Sequence, residues 1–298
     1  MPYNFGQLVI GPPGSGKSTY CKEIANFLKD IGRKVAIINI DPANDILPYE
    51  AAVNIYDLVT VEDVMSHKKL GPNGALIFCM EYLEENFVWL QKELIKLKDM
   101  YLIFDCPGQV ELYTHHQSLK KLMASLQSLN ISLCAVYLLD SHYCSDAGKF
   151  ISALLVTLST MLHMELPHIS VLSKVDMMLK FADKLPFPLE YYTEVLNLNY
   201  ILESLQDEQF TNKYQKLNSS LIELIEGYSL VSFVPLNIKD KRMLSNVKKA
   251  FDKANGYIYN AMEERNVQSL LACAVGAESD QERLGIDNDL YSFVGNNT

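Results

Sequence analysis

The stretch Gly6-Gln7-Leu8-Val9-Ile10-Gly11-Pro12-Pro13-Gly14-Ser15-Gly16-Lys17-Ser18-Thr19 decides the fold. An aliphatic run ends at Ile10, a glycine-rich turn follows, and a helical pattern begins at Lys17. The turn satisfies G-x-x-x-x-G-K-[ST] in a strand-loop-helix context, which is what a phosphate-binding loop requires. Glycines let backbone N–H groups turn inward on a phosphate, and the following helix offers its positive end. Gly14, Ser15, Gly16 and Thr19 then line the nucleotide, Lys17 bridges its β- and γ-phosphates, and Ser18 is a ligand for Mg²⁺.

Outward from this loop, short apolar runs recur at Val35–Ile40, Tyr101–Phe104, Leu133–Leu139, Ile169–Leu172 and Leu230–Val234. Continuous rather than alternating apolar character means that both faces are covered, so the runs predict a doubly wound, mostly parallel α/β sheet in three layers. Helical periodicity fills the gaps at Lys17–Ile31, Val61–Lys69, Glu81–Leu97, His116–Leu129, Lys149–His163 and Lys241–Glu263. The alternation predicts one domain over residues 1–276, with a helical insertion at 178–228 and an acidic, disordered tail at 277–298.

Composition narrows the function. The net charge of -10 excludes a general nucleic-acid binder, which needs clustered Lys and Arg. The six cysteines sit singly in apolar stretches without metal-ligand spacing, so they read as small buried hydrophobes in a reducing cytosolic or nuclear compartment. No secretory signal is expected, and the most apolar helix, around Ile151–Leu162, is too short to span a bilayer, which needs about 20 residues.

Two carboxylates follow predicted strands, where α/β sheets place their ligands. Asp105, in Asp105-Cys106-Pro107-Gly108-Gln109, fits a Walker-B role on Mg²⁺, with Gly108 offering its N–H to the γ-phosphate and Gln109 orienting water. Asp41, in Asp41-Pro42-Ala43-Asn44, is the candidate for activating the attacking water, although Asp before Pro also initiates ordinary turns. After the strand ending at Leu172 comes Ser173-Lys174-Val175-Asp176. A carboxylate there accepts from the N1–H and N2–H₂ edge of guanine, whereas adenine would set an acceptor against it. Lys174 lays its stem along the base, and Phe233–Asn237 closes the pocket from the far side.

Only four of the 26 basic residues are arginine, and none lies in a motif loop. Transition-state charge therefore needs another partner, and Asn73 in Gly71-Pro72-Asn73-Gly74 can donate to a phosphate oxygen while accepting from water. By itself this tetrapeptide reads as a turn between helices.

Together these motifs resemble the GPN-loop GTPases, over about residues 3–276, through the segments already quoted and Asp140-Ser141-His142-Tyr143-Cys144. The resemblance implies a Mg²⁺-dependent GTP hydrolase in which Gly71-Pro72-Asn73 enters the active site of a partner subunit. That subunit is a second copy or a paralogue, so dimerisation becomes part of catalysis. It also implies a role in assembly and nuclear import of RNA polymerase II and III, with the protein cytoplasmic and shuttling to the nucleus, and without direct nucleic-acid or membrane binding. Ser173 replaces the Asn or Thr usual at the head of the guanine motif. Two readings compete on the residues alone. An ATP-dependent phosphotransferase or ATPase would usually carry an arginine-rich lid, and residues 178–227 contain no arginine. A non-hydrolysing nucleotide-binding scaffold would show no turnover to lose on mutation.

Overall fold

In the computed structural model, which describes residues 4–185, 187–195, 198–201, 214–228 and 230–257, all seven strands join one parallel sheet. They are β1 (Asn4–Ile10), β2 (Val35–Asn39), β3 (Val53–Asn54), β4 (Tyr101–Asp105), β5 (Ile131–Asp140), β6 (His168–Ser173) and β7 (Phe233–Leu236). Their order is β3-β2-β4-β1-β5-β6-β7. The expected parallel α/β architecture is present, and the described strands are parallel throughout.

Successive residues of each strand face opposite layers. From β1, Leu8 and Ile10 enter one core with Leu102, Phe104, Tyr137 and Leu139, while Val9 enters the other with Ile103, Val136 and Val171. The second core is roofed by α1 (Lys17–Asp30), through Tyr20, Ile24 and Leu28, and by the last described helix (Lys241–Asn255), through Val247 and Phe251. The first is roofed by α3 (Pro72–Glu85), α4 (Phe87–Ile95), α5 (Glu111–Thr114), α6 (Gln117–Ser128) and α7 (Ala147–Met164), while α2 (Val61–Lys68) packs through Val64 on Ala75 and Cys79 of α3 in a small separate cluster. A buried clamp fastens the last helix to the sheet: Arg33 Nη1 and Nη2 donate to Asp252 Oδ1 and Oδ2 at 2.8 and 2.9 Å. The same guanidinium lies over the Tyr257 ring at 3.8 Å. Arg33 is therefore committed to structure.

Three expectations change. Gly71-Pro72-Asn73 is not a bare turn: Gly71 is the N-cap and Pro72 the first residue of α3. Proline has its φ already set for that position, where its missing N–H costs nothing. The helix expected over Glu81–Leu97 divides at Asn86 into α3 and α4. The apolar helix expected around Ile151–Leu162 runs over 18 residues, and by length and composition alone it is apolar enough to cross a membrane. In this fold it is a core helix, burying Phe150, Leu154 and Leu158.

The insertion is helical where described, with a three-ten segment (Val175–Lys184), α8 (Leu189–Glu194) and a helix over Gln215–Tyr228. The expected tail at 277–298 and the end of the helix drawn to Glu263 lie outside the described residues. The five described cysteines are buried and free, as expected for small hydrophobes.

Candidate functional site

Parallel strands end on the same edge of the sheet, and the register brings the motif residues together there: Asp105 pairs with Val9 and Asn39, and Asp140 with Ser173. The phosphate loop departs from β1 over this edge. Gly11 has φ +144 and a Cβ added to it would lie 2.4 Å from the Leu138 carbonyl oxygen, so only glycine fits beside β5. Gly16, at φ +93, caps α1, whose first turn carries no acidic residue. Its unpaired N–H groups and positive end are thus left for an anion.

A cleft of about 840 Å³ opens over this loop. Its walls include Gly14, Gly16, Lys17, Ser18, Thr19, Asp41, Asn73, Gly108, Gln109 and Lys174. A narrower cavity of about 340 Å³ adjoins it through Gly16, Thr19 and Lys174, bounded by Ser15, Ser173, Asp176, Leu236 and Asn237. The expected phosphate, catalytic and base-recognition residues therefore fall into two joined compartments. Asp105 lies beneath them, fully buried at the end of β4.

In the phosphate compartment, Lys17 Nζ donates to the Gly11 and Pro12 carbonyls at 3.1 and 3.2 Å. Burial lowers its pKa, and the nearby carboxylates of Asp105 and Asp41 oppose that shift. A Cβ on Gly108 would stand 3.0 Å from Lys17 Nζ, which places the Gly108 backbone against that ammonium. Burial raises the pKa of Asp41 most, and the Ala43 N–H, donating to Asp41 Oδ1 at 3.0 Å, opposes it. Gln109 Oε1 is buried without a protein partner.

Ser18 and Asp105 fit Mg²⁺, which takes oxygen donors and binds through few protein groups. Asp105 Oδ1 is a buried acceptor with no protein partner. Its other oxygen accepts from Tyr49 Oη at 2.7 Å, and Asn44 Nδ2 donates to Ser18 Oγ at 3.0 Å. Burial raises the Asp105 pKa, while hydrogen bonds from Tyr49 and Ser18 and the charge of Lys17 hold it down. Tyr49 and Asn44 were not singled out as site residues from sequence. Asn44 lies in a quoted motif, which was its only signal, and Tyr49 had none.

In the narrower compartment, Ser173 Oγ donates to the Ser15 carbonyl at 2.9 Å and lies 3.0 Å from that of Leu139, tying the Ser173–Asp176 segment to the glycine-rich loop. Lys174 Nζ donates to the Gly14 carbonyl at 2.6 Å and to Asp140 Oδ2 at 2.7 Å. Asp176 is exposed at the cavity mouth, with its carboxylate available to a base edge. Asn73, in the first turn of α3, is exposed at the rim of its own chain's cleft.

A family model described as "Conserved hypothetical ATP binding protein" matches residues 9–257. Among similar curated proteins, GPN-loop GTPase 2 of Danio rerio is 56% identical over 92% of this chain and 88% of its own length. GPN-loop GTPase QQT1 of Arabidopsis thaliana is 53% identical over 96% of this chain and 97% of its own. GPN-loop GTPase 2 of Saccharomyces cerevisiae is 46% identical over 87% and 76%. A solved GTPase of Pyrococcus abyssi in its apo form superimposes with a TM-score of 0.67, covering 84% of this chain and 97% of that one. At 23% identity that likeness shows the fold.

Proposed function

The chain belongs to the GPN-loop GTPase family, and from that premise we propose that it binds and hydrolyses GTP, working as a dimer. The observation that carries the reading is the junction of the two compartments. A phosphate cleft holding Lys17, Ser18 and Asp41 meets, at Gly16, Thr19 and Lys174, a base pocket edged by Asp176. The family model's description says ATP and the relatives' names say GTPase; the Asp176 carboxylate favours guanine, whose edge offers it two donors.

Binding draws Lys17 from the Gly11 and Pro12 carbonyls onto the β- and γ-phosphates, while the α1 N-terminus and loop N–H groups hold the triphosphate. Mg²⁺, when bound, would be held by Ser18 Oγ and Asp105 and would offset charge on the phosphates. Asp41 accepts the proton of the attacking water as its oxygen bonds to the γ-phosphorus and the bond to the β-phosphate breaks; a carboxylate with a raised pKa suits that task. Gln109 holds the water in line. Asn73 donates to the transferring phosphoryl group where other hydrolases place arginine.

Its exposure at the cleft rim supports action across a dimer. The exposed Leu70, three residues before Asn73, offers an apolar contact for a second chain at this rim. Family resemblance supports the wider role: assembly and nuclear import of RNA polymerase II and III, from the cytoplasm, with a second copy or a paralogue as partner. Titration with mant-GTP and mant-ATP tests the nucleotide. GTP binds more tightly, and Asp176→Asn removes most of that preference; equal binding of both by the native chain would overturn the reading.

A further inference from the structure

Two ammonium groups flank the phosphate loop, and only one of them has its charge used in the mechanism. Lys17 grips phosphate. Lys174 sits on the other side of the loop, its Cε 3.8 Å from the position that a Cβ on Gly16 would take, so its stem forms the wall between the two compartments. Left alone, a half-exposed lysine would swing into solvent or join Lys17 on the phosphates, and the wall would be lost.

The ammonium also donates to the Gly14 carbonyl at 2.6 Å, a neutral acceptor within the phosphate loop, so the charged partner that draws it away from the phosphates comes from the exit of β5, which holds the residue at both ends. Asp140 Oδ2 accepts from Lys174 Nζ at 2.7 Å, and Ser141 Oγ donates to the Lys174 carbonyl at 2.9 Å. The backbone between these anchors is held at φ +58, a left-handed conformation rare for lysine. Asp140 borders neither compartment and meets them only through Lys174. Its second oxygen, Oδ1, accepts from the His142 N–H at 2.9 Å and caps the three-ten turn Ser141–Ser145.

We infer that Asp140 is a positioning residue for purine recognition: it holds the Lys174 ammonium off the phosphates and lays its stem along the base, with Ser141 fixing the backbone. The inference rests on the nucleotide reading above, and it assigns a role that the motif residues alone leave open. Asp140→Asn is the informative change. An asparagine oxygen can still cap the turn at His142, while the charge that holds Lys174 is gone.

The test compares mant-GTP affinity with inhibition by inorganic tripolyphosphate, which has the phosphates and no base. Asp140→Asn weakens mant-GTP roughly fivefold to tenfold, the size of one partly exposed charge-assisted hydrogen bond, and leaves tripolyphosphate within about twofold of the native chain. In a Lys174→Met background, Asp140→Asn adds no further loss, because its partner is already absent. A merely structural role would weaken both ligands together and persist without the lysine; either result, or no loss at all, overturns the inference. If thermal melting shows Asp140→Asn unfolded, Ser141→Ala must give the same base-dependent pattern at smaller size. Native preference for GTP over ATP is scored separately. Should that preference be absent, the guanine reading fails, and the same comparison with mant-ATP still judges Asp140.

Discussion

Replacing Tyr49 by Phe removes one oxygen and, with it, the hydrogen bond to Asp105 Oδ2 at 2.7 Å, while the ring keeps its packing against the second core. Asp105 is fully buried, and Tyr49 is the first of the interactions that keep its carboxyl from rising further. A hydrogen bond to a charged group contributes about 1.5–3 kcal/mol. Ser18 and Lys17 also support the carboxylate, so the lower end applies, about tenfold in affinity. Losing a contact that lowers the Asp105 pKa moves it upward, so the acid limb of the pH–rate profile shifts to higher pH and the deficit shrinks on its alkaline side. The assay is the Mg²⁺ dependence of mant-GDP release, read beside the pH profile of GTP turnover. We expect Tyr49→Phe to need about ten times more Mg²⁺ for half-maximal slowing of release. A half-saturation and an acid limb both unchanged would refute the role given to Tyr49.

Gly11→Ala forces a Cβ to 2.4 Å from the Leu138 carbonyl at φ +144 and should cost about 2–4 kcal/mol in urea unfolding, together with nucleotide binding. Gly32→Ala, at φ +88 with open space around it, is the control and should cost only about 1 kcal/mol. Arg33→Ala leaves the buried Asp252 with Lys248 at 3.1 Å and should lower stability by about 3 kcal/mol, measured by denaturant midpoint, with mant-GTP affinity retained. Chains carrying Asn73→Ala and chains carrying Asp105→Asn should each be inactive and should regain GTP turnover when mixed, since mixed dimers pair an intact cleft with an intact Asn73; a mixture that stays inactive contradicts action across the dimer.

The sheet was legible because buried parallel strands leave continuous apolar runs, and the longer ones stand within a few residues of where those runs place them. Strand β3 escaped notice, since Val53-Asn54 is too short to leave a pattern and exists through pairing with Ile38 and Asn39. Gly71-Pro72-Asn73 misled in form because Asn-Gly signals a turn. What makes it a helix start is the burial of Ala75, Cys79 and Leu83 at helical spacing, with Pro72 already set for the first position. The phosphate loop, Asp41, Asp105, Gly108, Gln109 and the Ser173–Asp176 motif could be read because each sits at a predictable strand end. Tyr49 could not, for its partner is 56 residues away and nothing local marks it. Asp140 was visible as a charged residue after a strand, but its work depends on register with Ser173 and on the reach of Lys174. Such cross-strand contacts have no signature in linear spacing.

The most direct test of a guanine-specific hydrolase is steady-state phosphate release by the purified full chain with Mg²⁺, from GTP and from ATP in parallel, beside Asp41→Asn. Turnover of GTP should stand well above that of ATP and fall by about 10²–10⁴ in Asp41→Asn with mant-GTP binding retained. Equal release from both nucleotides, or an Asp41→Asn chain as active as the native one, would contradict it.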